Sequence, residues 1–548
     1  MKLYKYFYLV PTMALLFCNT SCDLDEVPEG GTITSGQKDE IQSKDPAKLN
    51  ADVMGLSSAL IQYNAIGEWY GGTAHFDYGF ASVCMMLDAS GMDMPSENSG
   101  YNWYNSELQL TDRTDTGTAT YFMWNLFYNE IKMANDILKV AKANSDDEAL
   151  NGYRGQALGF RAWSYLNLVQ IYQYTYKGHE TALAVPILTE DMTAEEVANN
   201  PRATVQEVYD LIMKDLDEAV SLLTTKRNDK DQINANVAYG LRARANLLMQ
   251  NWKAAADDAD KAMAGYTPYT KEQVSVPTFN SSSSNSWIWA NIVTETNDIV
   301  QSGILNFPSH MCSFTGNGYA PGYAGRYINS RLFDEIPDTD VRKGWWALAD
   351  PIYDEKGDFA GYDFTKKTPH VDWTWEITYQ GDNYNVAEWL GWQAPYLNVK
   401  FGPYQNIYNN ATNACDFPLM RVEEMIFIKA EGLAMSGDVA GGKSVLESFV
   451  KTYRDPSYVC AASSPEGVQD EIWFQRRIEL WGEGFSFYDI MRLKKPLDRT
   501  GANFPSVCAF DLPAEAPIFL WVIPEDEINN NQGISKDDNN PIISVPKA

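Results

Sequence analysis

Small apolar residues recur at helical spacing between residues 204 and 265. The first stripe consists of Ala238, Leu241, Ala245 and Leu248, and the second of Ala255, Ala259 and Ala262. Asn251 interrupts the pattern between the stripes, and Pro268 follows the second one. Residues three and four apart lie on one face of an α-helix, and small side chains on that face allow two helices to approach closely. The sequence therefore predicts a pair of antiparallel helices in tight contact.

Two further blocks have the same periodicity. Residues 119–176 predict two long helices interrupted near Asn144–Asp147. Residues 419–493 predict three more, at Met420–Met435, Lys443–Thr452 and Val468–Leu493. The small-residue spacing in 204–265 resembles a tetratricopeptide repeat, in which stacked helix pairs share a continuous core. We therefore expect an all-α fold, with a tetratricopeptide-like helical repeat scaffold formed by blocks 119–265 and 419–493.

The stretches outside these blocks have a different composition. Residues 66–118 and 266–418 are rich in Gly, Ser, Asn, Pro, Tyr and Trp, and no helical stripe persists in them. So many aromatic residues favour packed loops over a disordered chain. We expect these two excursions to form a large irregular, loop-rich lobe with short strands and turns on the helical scaffold.

The N-terminus is typical of an exported lipoprotein. Lys2 and Lys5 precede the apolar stretch Leu9–Phe17, which is too short to span a bilayer, and Ser21 precedes Cys22. We expect residues 1–21 to be a lipoprotein signal peptide and Cys22 to be the lipidated residue. Residues 22–50 are polar and predict a flexible tether. An ordinary cleaved signal peptide is the alternative interpretation.

Composition narrows the function. The net charge of −30 is unfavourable for binding to nucleic acid, because a phosphate backbone would be repelled. The cysteines after Cys22 are scattered, and the four histidines are widely spaced, without a metal-binding motif. We expect no cofactor and no metal site. Aromatic residues make up 13% of the chain, more than a helical core of this size needs.

Four segments, in order along nearly the full length, resemble the SusD/RagB family of outer-membrane nutrient-binding lipoproteins. They are Ser21–Asp25, Phe160–Leu168, Glu471–Arg492 and Ile523–Asn531. The chain departs from the usual family pattern at Gln475 and Ser486. The resemblance implies a single SusD-like domain over residues 51–548.

The resemblance also implies a function. Members of the family bind glycans without cleaving them, at the outer membrane, and act with a SusC-like TonB-dependent transporter. We accordingly expect a glycan ligand, anchoring in the outer membrane through the lipid, and no catalytic residues. The family has no fixed binding motif, so the glycan-binding residues must be inferred from composition.

Sugar rings stack on flat aromatic side chains, and their hydroxyl groups bind nearby amides and charged groups. The densest combinations of such residues lie in the two excursions. The candidate glycan-binding residues are Asn102, Trp103, Tyr104, Tyr319, Tyr323, Arg326, Trp345, Trp346, Trp373 and Trp375.

Two motifs suggest chemistry but have simpler interpretations. Glu479 and Glu483 lie four residues apart on a predicted helix, so they share one face, and paired carboxylates are the acid and base of a glycosidase. Ion pairs with Arg476, Arg477 or Arg492 explain them more simply. Residues 437–444 match the phosphate-loop pattern, but they follow a predicted helix rather than a strand. Gly437 there is typical of a helix C-terminus.

Three alternatives remain at this stage. A peptide-capture member of the same family would use the same scaffold and bind oligopeptides instead of sugars. A helical glycoside hydrolase would use two carboxylates at a cleft. A protein with a purely structural role would bind no ligand.

Overall fold

The computed structural model describes residues 45–63, 74–322, 324–365 and 375–545. The predicted signal peptide, Cys22 and most of the tether lie outside the described residues. Within the described part, no helix is both long enough and apolar enough to cross a membrane.

Helices account for most of the regular structure. The α-helices of the described part are Asn50–Ala59, Phe80–Ser90, Asn105–Gln109, Thr118–Val140, Glu148–Tyr172, Ala194–Ala198, Val205–Leu222, Ala235–Leu248, Trp252–Ala262, Asp298–Gln301, Phe307–Met311, Ser330–Glu335, Val386–Trp389, Val422–Met435, Val439–Tyr453, Pro465–Glu479, Ser486–Arg492 and Glu525–Asn530.

The long helices pack in the order of the chain. Thr118–Val140 contacts Glu148–Tyr172, which contacts Val205–Leu222, and the series continues through Ala235–Leu248 to Trp252–Ala262. Each inner helix of the series thus packs against both its predecessor and its successor, as in a repeat scaffold. The predicted all-α, tetratricopeptide-like architecture is confirmed.

The small-residue stripe connects the two helical blocks. Helix Trp252–Ala262 packs on helix Val422–Met435, and Ala255 and Ala259 are fully buried. Gly432 lies on the facing helix, where a Cβ would come within 2.4 Å of a carbonyl oxygen of the first helix. The two backbones can approach this closely because neither side presents a bulky side chain there.

The predicted interruption near residues 144–147 is confirmed and has a local cause. Asp147 precedes helix Glu148–Tyr172, and its carboxylate accepts hydrogen bonds from the backbone N–H groups of Ala149 and Leu150. Such a cap satisfies donors that have no partner within the helix. Thr204 and Glu207 form a reciprocal capping box at the start of helix Val205–Leu222.

The predicted helix Val468–Leu493 is instead two helices, Pro465–Glu479 and Ser486–Arg492. Gly482 and Gly484 between them have φ values of +81° and +86°. Glycine adopts this left-handed region without steric cost, and the chain reverses there.

The excursion 66–118 contains a helix that the pattern did not predict. All residues of Phe80–Ser90 are buried, including Asp88 and Ser90. A helix enclosed on every side has no polar face and therefore no amphipathic stripe.

The strands form four two-stranded antiparallel pairs in the described part. Trp287–Asn291 pairs with Phe417–Arg421, Trp346–Ala347 with Leu397–Asn398, Asp350–Tyr353 with Phe359–Asp363, and Glu376–Tyr379 with Asp382–Asn385. The third and fourth pairs, called here the first and second hairpin, lie in the predicted lobe. A small hydrophobic cluster supports them, separate from the main core. Its members include Phe314, Phe364, Ile377, Val386, Leu390 and Leu397.

Candidate functional site

A row of stacked rings runs inward from the surface between the two excursions. Trp103 stacks on His75, with ring centroids 4.2 Å apart and an interplanar angle of 30°. Tyr319 follows, with its centroid 5.8 Å from that of His75, and it stacks on His310 at 4.8 Å. His310 in turn stacks on Tyr78 at 5.4 Å. We call these five residues the ring column.

Backbone pairing brings the two excursions together at this place. Ser96 and Arg326 form an isolated antiparallel bridge, and the N–H of Tyr327 donates to the carbonyl of Pro95. The N–H groups of Tyr319 and Ala320 both donate to the carbonyl of Ser309. The column is therefore held by main-chain hydrogen bonds on both sides.

The inner end of the column is a buried polar network. The hydroxyl groups of Tyr78 and Tyr104 are 2.5 Å apart, and Ser82 lies 3.0 Å from the Tyr104 hydroxyl. Arg326 Nη1 donates to Asn102 Oδ1 at 2.8 Å, and its Nε donates to the carbonyl of His310 at 3.1 Å. Asn102, Tyr104 and Arg326 are all buried, so they position the column rather than face solvent.

Burial keeps the imidazoles of the column neutral. It lowers the pKa of His75 below its ordinary value. Burial, followed by the nearby charge of Arg326, lowers the pKa of His310 well below its ordinary value. Burial also raises the pKa of Tyr319, whose hydroxyl is hydrogen-bonded to His75 Nδ1. At neutral pH the column therefore presents uncharged rings.

The outer end of the column opens at Trp103, which is half-buried. The turn before it exposes Glu97, Asn98 and Tyr101. Asn105, half-buried, donates from Nδ2 to the carbonyl of Ser99 at 2.6 Å and so fixes this turn. An aromatic face bordered by amide and carboxylate groups can hold a neutral molecule with hydroxyl groups.

Five of the predicted glycan-binding residues are buried and cannot contact a ligand directly: Asn102, Tyr104 and Arg326 beneath the column, and Trp345 and Trp346 elsewhere. Trp346 is 0% exposed and makes an edge-to-face contact with Trp481, with centroids 5.6 Å apart. Trp345 is also buried, and its Nε1 donates to the carbonyl of Val274 at 2.9 Å. Both indoles are part of the main core, because a large apolar ring gains most by complete burial.

The ten predicted residues, apart from these two indoles, fall into four groups. Trp103 and Tyr319 lie in the column, and Asn102, Tyr104 and Arg326 lie beneath it. Trp375 is half-buried in the lobe and stacks on Tyr408 at 5.1 Å. Tyr323 and Trp373 lie outside the described residues.

Sequence reasoning missed His75 and His310. The four histidines are widely spaced in the sequence, and these two lie 235 residues apart. His310 Nε2 is 3.0 Å from the carbonyl oxygen of His75. No spacing pattern in the chain indicates this contact.

Glu479 and Glu483 do not form a catalytic pair facing a cleft, because both are buried. Glu479 contacts Arg454 at 2.8 Å, and Arg421 and Arg342 each at 3.3 Å. Glu483 contacts Lys400 at 2.7 Å and Arg421 at 2.8 Å. Burial opposes ionisation of Glu479, but the arginines outweigh it and hold its pKa below the ordinary value. The predicted ion pairing is confirmed.

The predicted partners of these two glutamates are wrong. Arg476 pairs with Asp489, Arg477 with Asp93, and Arg492 with Glu431 and Asp489. The predicted partners all lie within 13 residues of Glu479 in the sequence. The actual partners come from distant parts of the chain.

The remaining motifs have structural roles. Residues 437–444 form a turn between two helices, with Gly437 at φ +103° and Asp438 capping helix Val439–Tyr453. Across the described residues, no group of three or more His, Cys, Asp or Glu side chains is arranged to hold a metal ion.

Comparisons with known proteins agree with this architecture. Residues 331–541 match the family described as "SusD family", and residues 77–247 match a SusD-like family described as "Starch-binding associating with outer membrane". The chain belongs to the SusD/RagB family.

Individual relatives have low sequence identity to this chain, but the matches cover most of both proteins. SusD-like protein P2 of Formosa agariphila is 23% identical, and the match covers 92% of this chain and 93% of the relative. SusD-like protein P38 of the same organism is 22% identical over 73% of this chain and 79% of the relative.

Solved structures have the same fold. A SusD-like carbohydrate binding protein from Bacteroides vulgatus superposes with a TM-score of 0.69 at 23% identity, covering 91% of this chain and 98% of that one. A SusD superfamily protein from Bacteroides thetaiotaomicron gives 0.66 at 19% identity, covering 90% and 99%.

Proposed function

We propose that the protein captures a glycan at the cell surface and delivers it, uncleaved, to a SusC-like TonB-dependent transporter in the outer membrane. The observation that carries the proposal is the ring column, in which a half-buried tryptophan is supported from behind by neutral stacked rings. Membership of the SusD/RagB family supports the proposal, and one solved structure with the same fold is described as a carbohydrate binding protein.

The geometry of the mouth suits a sugar ring. One face of Trp103 lies against His75, and the indole is only half-buried, so part of it remains available for the C–H face of a pyranose. At its edge, the Asn98 amide can donate to and accept from the sugar hydroxyl groups, and the Glu97 carboxylate can accept from them. Because the ring is held in place before the ligand arrives, little conformational entropy is lost on binding.

Anchoring in the outer membrane is proposed from the N-terminal sequence, with lipid attached to Cys22. The polar residues 22–45 would give the folded part reach above the membrane, whereas the last residues of the predicted tether are folded, with Leu49 buried in the core. Replacement of Cys22 by serine should move the protein from the outer-membrane fraction to the soluble fraction on cell fractionation. Retention of Cys22→Ser in the membrane would contradict the anchor.

An enzymatic role has no support in the carboxylate pair that suggested it. Glu479 and Glu483 are enclosed by four cationic side chains and cannot reach a substrate. Peptide capture is tested in the same experiment as glycan binding, because oligopeptides should not compete with the sugar.

Affinity electrophoresis through gels containing neutral or acidic polysaccharides tests the proposal. We expect the wild type to be retarded by at least one polysaccharide and Trp103→Ala to bind it about tenfold more weakly. Trp473 is a matched control, since it is also half-buried but lies on helix Pro465–Glu479. Trp473→Ala should be retarded like the wild type. Equal retardation of Trp103→Ala and wild type would overturn the assignment of the site.

A further inference from the structure

The lobe exposes large aromatic side chains to an unusual degree. Tyr353 is 60% exposed, Phe359 57%, Trp392 50% and Tyr379 43%. They lie on the two hairpins and on the turn that follows helix Val386–Trp389. We call these four residues the lobe platform. Exposed aromatic clusters cost solvation free energy, and they commonly mark a binding surface.

Contacts connect the first hairpin to the turn. Tyr353 and Phe359 make an edge-to-face contact at 6.4 Å, and Phe359 contacts Tyr362 at 4.9 Å. The N–H of Tyr362 donates to the carbonyl of Gly391 at 2.5 Å. Gly361 makes this approach possible, because a Cβ there would lie 2.8 Å from the Gly391 oxygen.

Further contacts extend the surface to the second hairpin. Trp392 Nε1 donates to the carbonyl of Trp389 at 2.9 Å, and the ring of Trp389 contacts Tyr379 at 5.2 Å. Tyr362 and Trp389 are partly buried against the lobe cluster. The exposed rings are therefore backed by packed ones, which reduces the entropy lost when a ligand binds.

Gln393, which follows Trp392 in the chain, connects the lobe platform to the ring column. Gln393 is buried, and its Nε2 lies 3.1 Å from the carbonyl oxygens of both Ala320 and Pro321. Those carbonyls follow Tyr319 directly in the chain. The loop that carries one ring of the column thus lies against the segment that carries one ring of the platform.

The charge of the lobe restricts the ligand. Around the platform the carboxylates include Asp354, Glu355, Asp358, Glu376, Asp382 and Glu388. Lys356 is the one basic residue of the two hairpins in the described part. Such a surface repels uronates and sulfated sugars. Amides are present as well, and Gln380 Nε2 donates to the Tyr379 hydroxyl at 3.0 Å.

We infer that the lobe platform is a second binding surface for a neutral polysaccharide, which extends the site at Trp103 along the same glycan chain. The inference rests on the proposed function, since it requires a glycan ligand. The expected effect is avidity, because a polymer that reaches both surfaces binds more tightly than a short fragment that occupies only one.

The test compares a short and a long ligand of the same linkage. The probes are amylopectin, galactomannan and mixed-linkage β-glucan, each with its own trisaccharide, and polygalacturonate as the anionic polymer. The double variant Tyr353→Ala/Phe359→Ala removes two exposed rings, so its thermal midpoint should equal that of the wild type. Ile542→Ala/Ile543→Ala is the matched control, because both isoleucines are exposed and lie far from the lobe in sequence.

We expect the lobe double variant to bind the preferred neutral polymer about tenfold more weakly while its affinity for the trisaccharide is unchanged. Trp103→Ala should weaken binding of both ligands, and the isoleucine control should alter neither. Wild-type polymer binding by the lobe variant would overturn the inference and leave the proposed function intact.

Other outcomes are equally decisive. If no polymer retards the wild type, both the proposed function and the inference fail. Tighter binding of polygalacturonate than of the neutral polymers would overturn the inference that the ligand is neutral. If the lobe variant binds polymer normally but no longer co-purifies with an outer-membrane protein, the platform is a protein interface and the inference is wrong.

Discussion

The indole of Trp103 stacks on the imidazole of His75, with the two ring centroids 4.2 Å apart and the ring planes inclined by 30°. The residue proposed to meet the sugar is thus oriented by a side chain more than twenty positions earlier in the chain. His75 is itself held by a hydrogen bond to Tyr319.

Replacement of His75 by alanine should weaken glycan binding by about 1 kcal/mol, because Trp103 loses the ring that orients it. His75→Phe keeps a flat ring at that position and should bind nearly as the wild type does. Isothermal titration with the preferred glycan measures both. Undiminished affinity of His75→Ala would show that Trp103 is positioned by other contacts.

Acid should destabilise the protein through His310. Its folded-state pKa is lowered well below 6.5 by burial, so the unfolded chain binds a proton that the folded chain does not. Its contribution to stability is complete above about pH 6.5 and is lost as the pH falls from there towards the lowered pKa. The titratable and charged groups that face His310 are Tyr78, Tyr104, Tyr319, His75 and Arg326.

Urea unfolding at neutral pH and at about pH 5 checks this expectation. His310→Phe retains a ring but takes up no proton. As the pH is lowered, the free energy of unfolding of this variant should decrease less than that of the wild type. The two slopes should differ by up to about 1.4 kcal/mol per pH unit. An identical slope in wild type and variant would mean that His310 is not responsible.

Glu479→Gln should destabilise the fold by about 3–5 kcal/mol, because Arg342, Arg421 and Arg454 would lose a shared buried counter-charge. Asp470→Asn is the matched control, since it removes one carboxylate from a partly exposed pair with Lys495. That substitution should cost at most about 1 kcal/mol. Denaturant unfolding distinguishes the two, and similar small losses would show that the buried network contributes little.

Gly484→Ala should destabilise the protein by about 1–3 kcal/mol or more. The residue has φ +86°, and a Cβ there would lie 2.8 Å from atoms of Cys84. Gly501 has a similar φ of +81° but no atom within 4 Å of its Cβ position. Gly501→Ala should therefore show the backbone cost alone. In thermal melts, the melting temperature of Gly484→Ala should be clearly lower than that of Gly501→Ala. Equal melting temperatures would contradict the steric part of the explanation.

Much of the scaffold could be predicted because its determinants are local. Ala255 and Ala259 repeat at helical spacing, and Asp147 marks a helix start by its capping preference. These features act within a few residues, so the sequence displays them directly. Helix Phe80–Ser90 was missed because complete burial removes the polar face that periodicity requires.

The candidate site was predicted only in part. Aromatic density predicts Trp103 and Tyr319, which lie in one column, but the same criterion also predicts Trp346, which is in the core. Aromatic density cannot separate these cases, because the exposure of a ring depends on segments that are distant in the sequence.

By itself, the sequence determined the helical repeat, its break near Asn144–Asp147, the family and the acidic character of the chain. The tertiary structure alone decided which rings face solvent, which arginines neutralise Glu479, and that His75 and His310 meet in one column. The physical reason is the sequence separation of the interacting residues. Helix propensity and capping depend on neighbours along the chain, whereas burial and ring stacking depend on segments hundreds of residues apart.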